Sequence, residues 1–194
     1  MGDADILKDT ASERMTLEQE YLGQIEWVGK EDRITFIILS KDLIDYGKSL
    51  KKAEVLSMIG DINMHICPSF KEDRSLEAEV TIMVAEKDQR KKGLATEAIL
   101  ALFKFASEHI LTEAKRIIAK IGAHNEKSVR FFQKLGFNKV NHNEVFDELE
   151  FELPIKEGSP VFQDAHRLIA KSLACNRNWT TILKREDYLI KFDK

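Results

Sequence analysis

The stretch Gln89-Arg90-Lys91-Lys92-Gly93-Leu94-Ala95-Thr96-Glu97-Ala98 is a short basic loop with a single glycine. An apolar run of strand length, Ala78–Ala85, precedes it, and a long amphipathic pattern follows. A strand, a tight loop and a helix start turn several backbone N–H groups toward one point at the positive helix end, which suits a phosphate or pyrophosphate. Lys91 and Lys92 add positive charge beside such a group; a solvated basic patch at a helix start reads equally from them. The stretch is no Walker loop, because Gly93 is not followed by Lys and Ser or Thr, and it lacks the three spaced glycines of a dinucleotide fingerprint. Arg90-Lys91-Lys92 is too short a run to argue for nuclear localisation.

Farther along lies Asn125-Glu126-Lys127-Ser128-Val129-Arg130-Phe131-Phe132-Gln133-Lys134-Leu135-Gly136-Phe137, with a strand-like Lys115–Ile121 between the two segments. Taken in this order, the pair resembles the two signature motifs of the GCN5-related N-acetyltransferases. Arg90, Gly93 and Ala95 match Gln/Arg-x-x-Gly-x-Gly/Ala. Asn125, the small Ser128 and the aromatic before Leu135-Gly136-Phe137 match the second motif. The resemblance spans roughly residues 33–153. Met15–Tyr21, Ile59–Asn63, Gly93–Ala98 and Phe132–Phe137 are similar to a eukaryotic subgroup, the N-acetyltransferase 9-like proteins.

That resemblance implies acetyl-CoA as co-substrate and assigns roles residue by residue. Arg90, Lys91, Lys92, Gly93, Leu94, Ala95 and Thr96 would hold the pyrophosphate, chiefly through backbone N–H groups. Lys91 stands where many relatives have Gly, which its position allows if the side chain points outward. The pantetheine arm would pair with Ile82, Met83 and Val84, and a backbone N–H there would serve the thioester oxygen. Asn125 would contact the cofactor arm, and Asn is also a good helix N-cap. Phe132 falls where many members carry a Tyr that protonates the leaving thiolate; it has no hydroxyl, though its ring can pack on the cofactor. For the general base the candidates are Glu79 and His124. Glu79 shares a strand face with Thr81 and Met83, opposite Val80, Ile82 and Val84, and a solvent-facing Glu reads from the same pattern. His124 is the second candidate because imidazole titrates near neutrality; a His at a strand end is its plainer reading. Asp61 and Asn63 can line the acceptor site. Neither Cys67 nor Cys175 is placed to act as a nucleophile, so transfer would be direct. The implied acceptor is a protein or peptide α-amine. The other reading is a catalytically weak or inactive member of the fold that binds acyl-CoA or a protein partner.

Composition narrows the classes. The 194 residues suffice for one domain with a real core, and the net charge of −3 gives no whole-surface attraction to nucleic acid or anionic membrane. Basic residues are not interleaved with aromatics as in nucleic-acid modules. No apolar run approaches the ~20 residues of a membrane span. The N-terminus lacks a signal-peptide pattern, and the 2 cysteines have no metal-ligand spacing, so the expectation is a reduced cytoplasmic protein without metal.

These residues need a scaffold. Met15–Trp27 reads as a helix with a Thr16–Gln19 capping box. Arg33–Ser40 is a strand, Asp42–Glu54 an exposed connection, Val55–Ile66 a second strand, and Cys67–Leu76 a turn region. Ala95, Ala98, Ile99, Leu102, Phe103, Ala106 and Ile110 form one helical stripe. A strand at Arg116–Ile121, a helix at Glu126–Leu135 stopped by Gly136, and an alternating strand at Val145–Leu153 follow. The order predicts an α+β fold of the acyl-CoA N-acyltransferase type, a central mixed β-sheet flanked by helices. Three parts are expected: a polar N-terminal segment 1–14, an acetyltransferase domain 15–153, and a C-terminal extension 154–194 with a helix at Val161–Leu173. The resemblance places a first strand and helix before Met15, and residues 1–14 are too few for both. Arg33–Ser40 would then have an unpaired edge, with Phe36 and Ile38 or their neighbours facing water and oligomerisation through that edge.

Overall fold

The computed structural model describes residues 4–9, 13–28, 30, 32–45, 47–69, 75–109 and 114–155. Their elements run α1 (Ala4–Asp9), α2 (Leu17–Val28), β1 (Arg33–Leu39), α3 (Leu50–Ser57), β2 (Met58–Pro68), β3 (Leu76–Val84), α4 (Leu94–His109), β4 (Ala114–Gly122), α5 (Glu126–Lys134), β5 (Asn138–Asn143) and β6 (Glu148–Pro154). The strands form one sheet in the order β1-β2-β3-β4-β6-β5. β3 and β4 are parallel, while β6 is antiparallel to both its neighbours, so the sheet is mixed as expected. Among the described residues, no helix is long and apolar enough to cross a membrane.

The backbone gathers into two compact units. One is built on Met1–Ile34, Asn63–Thr81 and Ile110–Ser159, and the described part of the other on Thr35–Ile62 and Ile82–His109. In the first, Val80, Ile117, Ala119, Ile121, Phe132, Phe137, Phe151 and Leu153 are buried. In the second, Ile59, Ile62, Ile99, Leu102, Phe103 and Ala106 are buried. The α4 stripe is thus core-facing up to Ala106; Ile110 lies outside the described residues, as do the expected Val161–Leu173 helix and Cys175.

Local signals explain several boundaries. Thr16 and Gln19 exchange reciprocal bonds, Thr16 N–H to Gln19 Oε1 at 2.8 Å and Gln19 N–H to Thr16 Oγ1 at 3.2 Å, which starts α2 as the capping box predicts. Asn125 Oδ1 accepts from Ser128 N–H at 3.1 Å and caps α5. At the other end, Gly136 takes φ 92°. There Phe137 N–H reaches Phe132 O at 3.1 Å and Gly136 N–H reaches Gln133 O at 3.0 Å. Those two bonds make a Schellman cap, and the Phe132 and Phe137 rings, 5.1 Å apart and edge-to-face, supply its hydrophobic contact.

Other expectations fail for physical reasons. Val55–Ser57 is helical and not strand, and the exposed connection at Asp42–Glu54 contains the start of α3. Ala53 and Ser57, four residues apart, are buried while Val55 faces water, a one-sided burial that a helix satisfies. β5 carries no periodic signal, since all six of its residues are exposed; it exists by pairing with β6. β6 begins at Glu148, leaving Val145 and Phe146 exposed in the preceding turn. β1 ends the sheet order with Thr35 facing water, while Phe36 and Ile38 are half-buried and the Phe36 ring meets Phe105 edge-to-face at 5.4 Å.

Candidate functional site

In the unit holding α4, β3 ends at Val84, and a short 3-10 turn, Lys87–Gln89, leads into the glycine loop. Arg90 folds back on the strand end. Its Nε donates to Val84 O at 2.8 Å and its Nη2 to Ala85 O at 3.2 Å, so the guanidinium clamps the loop to β3. Gln89 is 7% exposed, and its Oε1 accepts from Ser40 Oγ at 3.3 Å and Lys92 Nζ at 3.1 Å. Lys91 and Gly93 both adopt left-handed backbone, φ 63° and 83°. Left-handed residues in a tight turn gather successive N–H groups into an anion-binding concavity. Lys91 is exposed, so its side chain does point outward. A Cβ on Gly93 would meet nothing within 4 Å, so its requirement is conformational and not steric. Leu94, Ala95 and Thr96 form the first turn of α4, where helix N–H groups lack intrahelical partners.

Gly60 has a different reason to be glycine. A Cβ there would lie 1.9 Å from Met83 O and 3.0 Å from Val84 Cα, so β2 approaches the end of β3 too closely for any side chain. At the same place Ile59 O accepts from both Ala85 N–H at 2.7 Å and Glu86 N–H at 3.2 Å. Met83 and Val84 are thereby fixed in the segment that carries the pantetheine assignment.

In the other unit, strand alternation sorts β3 and β4 into an apolar and a polar face. Glu77 and Glu79 share the polar face with Arg116, Ile118 and Lys120. At its buried end Arg116 Nε donates to Glu77 Oε1 at 2.5 Å, Ser69 Oγ donates to the same oxygen at 2.6 Å, and Arg116 Nη2 donates to Ser69 Oγ. At the open end Lys120 Nζ donates to Glu79 Oε2 at 2.7 Å. Asn63 Nδ2 donates to Thr81 Oγ1 at 3.2 Å beside them. A cleft of about 290 Å³ opens here, lined by Cys67, Glu77, Ile118, Lys120, Val140, Asn141 and Glu150. Desolvation pulls the Lys120 ammonium down, but the hydrogen bond and charge of Glu79 outweigh it and hold its pKa above the ordinary lysine value. Burial, then the charge of Glu79, pushes the Cys67 thiol up, away from the thiolate form that reacts.

His124 and Asn125 line a second cleft of about 200 Å³ with Glu126, Lys127 and Arg130. His124 is exposed, and its ring packs over Gly122, where an added Cβ would come within 2.7 Å of Cε1. Phe132 is 4% exposed, wedged between Phe131 and Phe137. Its ring serves the core and the helix cap, leaving little surface for a ligand. Lys120, the partner of Glu79, was not singled out from sequence; alternation in Lys115–Ile121 places it on the wet face and was the available signal. Gly60 gave no local sign, because its close approach depends on a strand distant in sequence.

A glycine loop opening a helix, a capped Asn helix and a mixed sheet together define the GNAT class. The family profile described as "Acetyltransferase (GNAT) domain" matches residues 8–138, and the chain belongs to this family of acetyl-CoA-dependent acyltransferases. It is 38% identical to an N-acetyltransferase 9-like protein of Dictyostelium discoideum, over 78% of this chain and 74% of that protein. It is 39% identical to human alpha/beta-tubulin-N-acetyltransferase 9, over 81% of this chain and 72% of that one. The crystal structure of Arabidopsis thaliana NAA60 in complex with acetyl-CoA superposes with a TM-score of 0.53 at 17% identity, covering 73% of this chain and 85% of that one, a likeness of fold.

Proposed function

We propose that this chain transfers acetyl from acetyl-CoA directly to a protein or peptide α-amine. The loop carries the reading: two left-handed residues, Lys91 and Gly93, at the start of a 16-residue helix make a backbone anion cradle. Arg90 acts by clamping that loop, Lys91 and Lys92 add charge, and Ile82–Val84 offers backbone to the pantetheine arm. Glu79 is the base. Its carboxylate takes a proton from the acceptor ammonium; the amine then attacks the thioester carbon, the C–N bond forms, and the C–S bond breaks. The second amine proton leaves to the departing thiolate by way of water, since Phe132 has none to give. The human relative is named for α/β-tubulin, which makes tubulin amino termini the first acceptors to try. A reduced cytoplasmic setting fits the isolated thiols.

The test is acetyl-CoA consumption against peptides bearing the N-termini of α- and β-tubulin, internal lysines, and unrelated N-termini. Turnover confined to internal lysines overturns the α-amine assignment. The burial of Phe132 and its missing hydroxyl favour a second reading, an acyl-CoA-binding member with weak or no turnover. Tight calorimetric binding of acetyl-CoA with no peptide acetylated would select it.

A further inference from the structure

We propose that Lys120 is the positioning residue of the acetyl-transfer site, its ammonium holding the Glu79 carboxylate in one orientation, aimed for proton abstraction. This rests on the reading of Glu79 as base. The geometry is a direct ion pair at 2.7 Å between side chains 37% and 23% exposed, on neighbouring parallel strands that fix both backbones. A fully solvated Glu would sample many rotamers, whereas a partner anchored on β4 selects one.

The surroundings explain why Lys120 in particular does this. The polar face carries Cys67 from β2, Glu77 and Glu79 from β3, Arg116 and Lys120 from β4, and Glu150 and Glu152 from β6. Arg116 is engaged by Glu77 at 2.5 Å and lies 3.9 Å from Glu152. Lys120 is therefore the cation that answers both Glu79, in contact, and Glu150, at longer range. Removing it leaves the Glu79 carboxylate without the partner that orients it and lets neighbouring carboxylates repel one another. The raised pKa of Lys120 keeps it an ammonium through neutral pH, so it is neither the base nor a nucleophile itself.

The test compares Lys120→Met, Lys120→Arg and Glu79→Gln, with acetyl-CoA and whichever tubulin N-terminal peptide turns over, across pH. Lys120→Met should lower kcat by about tenfold with acetyl-CoA affinity unchanged, because the base is no longer held in place, and Lys120→Arg, which keeps the charge and the donor, should restore most of it. A wild-type kcat in Lys120→Met, or a loss that Lys120→Arg does not restore, overturns the positioning role. Glu79→Gln at the wild-type rate overturns the base assignment instead, which separates the two failures. A readout independent of turnover uses Cys67, in a Cys175→Ser background, with a disulfide reagent followed against pH. The Cys67 thiol should titrate higher in Lys120→Met and lower in Glu79→Gln. Identical thiol titrations in all variants overturn the charge coupling on which the proposal stands.

Discussion

Gly60→Ala is the most discriminating perturbation of the unit that carries the glycine loop. The added Cβ would sit 1.9 Å from Met83 O, and real Cβ atoms essentially never come under 3.0 Å. β2 and the end of β3 must then part by about 1 Å, because the obstacle is backbone and cannot rotate away. Such a shift stretches the 2.7 Å bond from Ala85 N–H to Ile59 O beyond hydrogen-bonding range and weakens the 3.2 Å bond from Glu86. Overpacking of this kind costs about 1–3 kcal/mol, and each lost backbone bond about 1 kcal/mol. The expected loss is roughly 2–4 kcal/mol, or about 5–15 °C in Tm for a chain of this size. Urea unfolding at constant m-value measures the stability, and calorimetry with acetyl-CoA measures affinity. Affinity should fall at least about tenfold, because Met83 and Val84 move with the strand. Gly23→Ala is the control: it lies within α2 with nothing within 4 Å of an added Cβ, and should stabilise by about 0.5–1 kcal/mol. If Gly60→Ala unfolds at the wild-type urea midpoint and binds acetyl-CoA normally, β2 and the end of β3 do not approach within backbone contact at Gly60.

Other outcomes follow from the same geometry. Gly93→Val should lose about 1–2 kcal/mol, from forcing a side chain into left-handed backbone and not from a clash, and should abolish acetyl-CoA binding by calorimetry while circular dichroism stays native. Lys91→Gly relieves the same kind of strain, so its Tm should equal or exceed that of wild type, whereas Lys91→Val should lower it. Arg116→Met strands Glu77 in the interior and should destabilise by about 3–5 kcal/mol in urea, with part recovered in the double variant with Glu77→Gln. The Lys120–Glu79 pair contributes at neutral pH, and its coupling in a double-mutant cycle should fade as pH rises above the ordinary lysine value of 10.5, because the folded lysine titrates above it.

Much of the scaffold is written in local pattern. The Thr16–Gln19 box, the Asn125 cap, the Gly136 stop and the α4 stripe each act through neighbours a few residues away, so residue type and spacing suffice to place them. The loop from Arg90 to Thr96 is legible for the same reason. Family resemblance then attaches a chemistry to it that the pattern alone leaves at "anion".

Other features depend on partners far apart in the chain. β5 is a strand because β6 lies beside it, and nothing in Asn138–Asn143 alternates to announce it. Leu17, Tyr21 and Ile25 have the spacing of a buried face, yet all three are exposed on α2. Arg90 looks like a phosphate ligand in sequence, and its guanidinium is bound to strand-end carbonyls. Glu79 was visible as a carboxylate on a wet face, but its partner stands 41 residues later on β4. Charge pairing and close backbone approach depend on distances of a few ångströms between strands, and no single strand's sequence encodes the register that sets them.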